Sequence, residues 1–198
     1  VDMNVTKIQD NIIKTYDLED PFIIYPSSIE SYKSQIEVVK AYSLTREKLS
    51  QDLPNLYLIG PINNKKYFQT LKVLLKKFNL EDKIFFTGKV GFNDMPTIYK
   101  YSLMVIFASK TENCPNILLE AFSMNKLILC SNFKPMPEFG RESVVYFNPN
   151  SPEDLSEKLV KIIQNKEIIQ IYQEKTKNIK FSSWEECATK TWNELCLL

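Results

Sequence analysis

The chain has 198 residues, enough for one well-packed domain with little left over for a second. A hydrophobic share of 44% with 12% aromatics excludes disorder and fits a sizeable core, while a formal charge of +1 without a basic cluster argues against nucleic acid as partner. There is no histidine, and Cys114, Cys130, Cys187 and Cys196 form no C-x-x-C pair, so no zinc site is expected, the thiols are expected to be reduced, and any general base must be a carboxylate or come from elsewhere.

Residues 1–20 read as a connecting segment with a short amphipathic helix, Ile8, Ile12, Ile13 and Tyr16 sharing one face and Pro21 ending it. Six short apolar runs follow: FIIY (22–25), LYLIG (56–60), IFFTG (84–88), LMVIF (103–107), LILC (127–130) and VVYF (144–147). Helical patterns over 35–49, 65–78, 94–100 and 116–124 separate most of them. This alternation predicts an α/β domain with a doubly wound, Rossmann-like parallel sheet of about six strands, buried on both faces. After the sixth run the pattern is helical only, over 152–165, 166–179 and 183–195. In the last helix Trp184, Trp192, Cys187, Ala188, Leu195 and Cys196 are spaced as a buried or docking stripe. No apolar run has membrane-spanning length, and with no initiator methionine or signal peptide the chain is expected to be a soluble, cytoplasmic fragment.

Ligands of such a sheet sit beyond the C-terminal ends of its strands, so those loops carry the functional candidates. After the first strand, PSSIESYKS (26–34) holds Lys33 and runs into a predicted capping box of Ser34 with Glu37. Lys33 there is either a point charge for a phosphate or a solvated surface lysine. Lys65 and Lys66 follow the second strand near the same rim, and Gly88 and Gly91 mark a sharp turn or close approach after the third. After the fifth strand, two prolines and Gly140 predict a rigid, non-helical course for 131–142, where Glu138 is a third cleft carboxylate or a loop acid.

The densest stretch is ENCPNILLE (112–120). Pro115 suits the first helical position, which puts Glu112 in the loop, Glu120 one turn into the helix above Asn116, and the first-turn amides in a position to hold an anion such as a diphosphate. Spacing alone also allows a solvated loop acid and an exposed helical glutamate.

The stretch from Thr87 to Gly140 resembles the C-terminal domain of the group 1, family 4 retaining glycosyltransferases of GT-B architecture. The shared features are G-x-V after a strand, I-Y-K-Y before a buried strand, two glutamates with seven residues between them followed by Ala, and a P-x-P-E loop; a looser likeness runs from about Pro21 to Trp192. The resemblance implies a donor-binding domain over 21–181, an interdomain connection over 1–20, and a helix at 182–198 that packs on an absent N-terminal, acceptor-binding domain. It implies that Glu112 contacts the transferred sugar and stabilises charge at its anomeric carbon, and that Glu120 binds the ribose hydroxyls. Asn116 and Ile117 would offer amides to the diphosphate or sugar, with Asn113 a further donor-binding residue of the same loop; Lys33 would pair with the diphosphate, and Lys89 and Val90 would border the base. No cofactor or metal is implied. The implied reaction is hexose transfer from a nucleoside diphosphate sugar to a glycan or lipid-linked acceptor in surface polysaccharide synthesis, such as lipopolysaccharide or capsule, with any membrane association made through the missing domain. Ser27 and Ser28 stand where the family usually has an arginine, which predicts a weaker phosphate clamp and leaves a non-catalytic binding module, or an epimerase of the same architecture, as alternatives.

Overall fold

The computed structural model describes residues 11–49, 52–179 and 182–197, so Ile8 and the rest of 1–10, residues 180–181 and Leu198 lie outside it, as does the side chain of Trp184. The six apolar runs form β1 (Phe22–Pro26), β2 (Asn55–Ile59), β3 (Ile84–Gly88), β4 (Val105–Phe107), β5 (Ile128–Ser131) and β6 (Val145–Phe147). They pair in the order β3-β2-β1-β4-β5-β6, every described pairing parallel. Every residue of β1, β2, β4 and β5 is buried, as expected of strands covered on both faces.

A helical turn over 11–15 (α1) precedes the sheet. The connections are α2 (Gln35–Lys48), α3 (Lys65–Lys77), α4 (Met95–Tyr101), α5 (Asn116–Ser123) and α6 (Met136–Gly140), followed by α7 (Pro152–Gln164), α8 (Glu167–Lys177) and α9 (Trp184–Leu195). Local chemistry sets several starts: Asn64 and Ser151 accept from the Tyr67 and Asp154 amides at 2.9 and 3.2 Å, and Ser183 with Glu186 forms a reciprocal capping box. α2 packs on α7, where Thr45 Oγ1 donates to Ser156 Oγ at 3.1 Å in the interior. Ile12, Ile13, Tyr16 and Leu18 pack against the same core, so the segment before β1 is fastened to the domain.

Two local expectations are corrected. The 131–142 loop contains the short helix α6, because Pro137 falls in its first turn, where a missing N–H costs nothing. Ser34 makes no capping box: it ends a 3-10 turn (Ser31–Lys33) and starts α2 at once, with φ 56°, whereas a capping serine needs extended backbone. Its buried hydroxyl has no partner among the described residues. Asn125, at φ 51°, takes the left-handed conformation its position after α5 calls for.

Candidate active site

The strand order reverses between β1 and β4, whose pairing is through Ile24 and Val105, and the crevice beyond the C-terminal ends of these two strands is where an open α/β sheet takes its ligand. Lys33 follows β1 and Glu112 follows β4, so one residue stands on each side of the reversal. The two loops are stitched together by the Lys110 amide, which donates to the Tyr32 carbonyl at 2.8 Å. From below, the buried Tyr25 hydroxyl of β1 donates to the Lys33 carbonyl at 2.5 Å.

That scaffold brings the Lys33 ammonium onto Glu112 Oε1 as an ion pair. Lys33 is only 7% exposed, which is rare for a lysine unless it is paired. Its Nζ also lies 5.0 Å from the Tyr32 ring centroid and 5.8 Å from that of Phe107, within cation–π range. An ammonium has three donors, so the pair with Glu112 leaves Lys33 able to hold a second anion.

Beside this pair, α5 begins at Asn116 with Pro115 as its cap residue rather than its first helical one. The Asn116 amide donates to the Cys114 carbonyl at 2.9 Å and is therefore spent. The Ile117 amide has no acceptor among the described residues and is available at the positive end of the helix.

A cleft of about 230 Å³ opens next to it. Its walls are the ends of β1 (Ser27, Ser28), β2 (Gly60) and β3 (Lys89, Val90), and from α5 Ile117 and Glu120. Gly60, at φ 154°, allows this junction: a Cβ there would lie 2.2 Å from the Ser27 carbonyl oxygen. Ser27 Oγ accepts from Gln35 Nε2 at 3.0 Å, and the same nitrogen reaches the Ser28 carbonyl at 2.8 Å. Glu120 also borders a second, mostly apolar cavity of about 210 Å³ between α4 and α5, rimmed by Phe92, Met95, Tyr99 and Met124.

Of the residues singled out in the sequence, Lys89, Val90, Ile117 and Glu120 line this cleft, and Lys33 and Glu112 pair in the loops that follow β1 and β4 at the same end of the sheet. Asn113 is exposed outside the cleft wall, and the side chain of Asn116 accepts from Cys114 Sγ at 3.5 Å. Lys65, Lys66 and Glu138 are exposed. Sequence reasoning missed Gln35, which organises Ser27, and Tyr99, whose hydroxyl donates to Glu120 Oε2 at 2.8 Å. The I-Y-K-Y motif contained Tyr99, but nothing in its spacing signals a partner 21 residues away.

Comparison with known proteins adds three findings. Residues 8–179 match the family described as glycosyl transferases group 1. An uncharacterized glycosyltransferase of Methanocaldococcus jannaschii is 27% identical over 159 residues, and the O-antigen chain mannosyltransferase B of Escherichia coli is 25% identical over 178. These alignments cover 79% and 89% of this chain but 39% and 46% of the relatives, so the chain spans less than half of their length. The crystal structure of Anabaena HepE in complex with UDP and glucose superposes with a TM-score of 0.74 at 15% identity, over 86% of this chain and 46% of that one, a likeness of fold alone.

Proposed function

The chain belongs to the group 1 glycosyl transferases, and we propose that it is the donor-binding half of a retaining, two-domain transferase that moves a hexose from a nucleoside diphosphate sugar to a glycan or lipid-linked acceptor. The observation that carries the reading is the Lys33–Glu112 pair at the strand-order reversal, adjoining a cleft that also holds Glu120 and the free Ile117 amide. The mannosyltransferase relative supports surface polysaccharide as the product, and the UDP and glucose held by the Anabaena protein support a nucleotide-sugar donor.

The diphosphate sits between Lys33, the Ser27 hydroxyl and the Ile117 amide, and two carboxyl oxygens of Glu120 are matched to the two hydroxyls of a ribose. Glu112 faces the sugar, where its negative charge stabilises the positive charge that develops at the anomeric carbon as the leaving group departs. Lys33 touches both sides of the breaking bond, since it holds Glu112 and neutralises the departing diphosphate. These groups supply the positive charge that a metal provides elsewhere, so the reading requires no metal.

The acceptor is held by a second domain across the cleft. α9, with Trp192 and Leu195 68% and 59% exposed, packs on that domain, and any contact with a membrane is made through it. The test is thermal stabilisation of the chain by UDP, GDP, ADP and their sugar conjugates. A ligand at a hundred times its Kd adds about 2.7 kcal/mol, or roughly 5–11 °C for a chain of this size. No shift with any of them contradicts the proposal.

A further inference from the structure

Glu120 has to be fixed in order to read two hydroxyls, yet its own position does not fix it. It is half-buried on α5, and the side chains of Met95 and Ile117 beside it in the cleft wall are apolar and hold neither of its carboxylate oxygens. A glutamate so placed loses affinity in being ordered each time a ligand arrives, because three rotatable bonds must be frozen. Among the described residues one group removes that freedom. Tyr99 is 2% exposed, is carried on α4, and donates to Glu120 Oε2 at 2.8 Å. Its ring is packed in the core, so its hydroxyl is a rigid anchor.

The phenol is also an obligate donor. Burial first, and the neighbouring charge of Glu120 second, push its pKa far above the ordinary tyrosine value, so it keeps its proton throughout the neutral range. With that proton committed to Oε2, Oε1 is left without a partner among the described residues. A charge-assisted O–H···O⁻ bond of this kind is among the stronger ones.

We infer that Tyr99 is a positioning residue for ribose recognition, holding Glu120 by Oε2 so that its carboxylate is presented to the ribose hydroxyls in one orientation. This rests on the reading of the cleft as a nucleoside diphosphate site. It assigns to the tyrosine of I-Y-K-Y a role in telling ribose from deoxyribose, beyond filling the space between α4 and α5.

Tyr99→Phe keeps the ring and removes only the hydroxyl. Wild type and variant are titrated with UDP, GDP and ADP, and then with the 2′-deoxy and 3′-deoxy forms of whichever binds. Wild type is expected to prefer the ribose form about tenfold or more, and the variant to lose about tenfold on the ribose form and little on the deoxy forms, so that the ratio approaches one. Comparing two ligands on the same protein cancels any loss of folded fraction. Glu120→Ala should abolish the preference alone, and adding Tyr99→Phe to it should change nothing further. A ratio unchanged in Tyr99→Phe, or one lowered equally in the presence and absence of Glu120, overturns this inference and leaves the donor site standing. Wild-type chain that binds none of the three nucleotides overturns the donor-site reading and this inference with it.

Discussion

Replacing Lys33 by methionine tests whether the Lys33–Glu112 pair is built for stability or for a ligand. Methionine keeps the length of the stem between Tyr32 and Phe107 but leaves Glu112 facing no cation. The two side chains are 9% and 15% exposed, so neither charge is solvated as on a surface, where such a pair is worth about 1 kcal/mol or less. Removing one partner of a buried pair costs about 3–5 kcal/mol. Glu112 retains some access to water through its loop, which brings the expected loss to about 2–3 kcal/mol, or a fall in Tm of about 4–12 °C at this chain length. The double variant Lys33→Met/Glu112→Gln removes the stranded charge as well and should recover to within about 1 kcal/mol of wild type, since a buried pair exchanged for neutral groups of similar volume is often neutral. Nucleotide affinity should be lost in both. Urea unfolding followed by circular dichroism measures the stabilities, with an unchanged m-value confirming that the two states are the same. A single variant that loses less than about 0.5 kcal/mol, or a double variant as unstable as the two single changes summed, refutes the reasoning.

Gly60→Ala should cost more than about 2 kcal/mol and weaken nucleotide binding, because the new methyl meets the Ser27 carbonyl at 2.2 Å and must displace the cleft wall; an unaltered urea midpoint contradicts that. The buried phenols of Tyr25, Tyr42 and Tyr99 are all raised, so the stability they contribute is complete below pH 10 and falls as pH rises above it, since the unfolded chain releases protons that the folded one keeps. The slope is up to about 1.4 kcal/mol per pH unit for each of them, and urea midpoints at pH 9, 10 and 11 should fall less steeply in Tyr99→Phe. Removing residues 182–198 should change stability by less than about 0.5 kcal/mol, because the described side chains of α9 are exposed; a loss above about 2 kcal/mol would show that α9 packs on this domain.

The sheet was legible because buried parallel strands leave apolar runs too short for helices, and each of the six runs became a strand. Their order and the reversal between β1 and β4 were not, since pairing is decided by contacts between distant segments. Punctuation by residue type holds where one local bond or one backbone angle suffices, as the caps at Asn64 and Ser151 and the left-handed Asn125 illustrate. It misled at Ser34, whose backbone is set by two abutting turns, and at Pro137, where proline opened a helix in place of excluding one. For the site, loop position brought Lys33, Glu112, Ile117 and Glu120 to notice, while the partners that hold them stayed hidden. Tyr25, Gln35 and Tyr99 read as ordinary core or helix residues, and only the packing of β1, α2 and α4 brings their polar atoms to the rim.

The central claim is that a nucleoside diphosphate binds where β1 and β4 diverge, and methyl NMR of the isoleucines reads this directly. Titration with UDP, GDP and ADP should shift the Ile59 and Ile117 methyls saturably with at least one of them, and leave Ile162 and Ile171, beside the separate groove between α7 and α8, in place. Saturable shifts confined to Ile162 and Ile171, or none with any nucleotide, would contradict it.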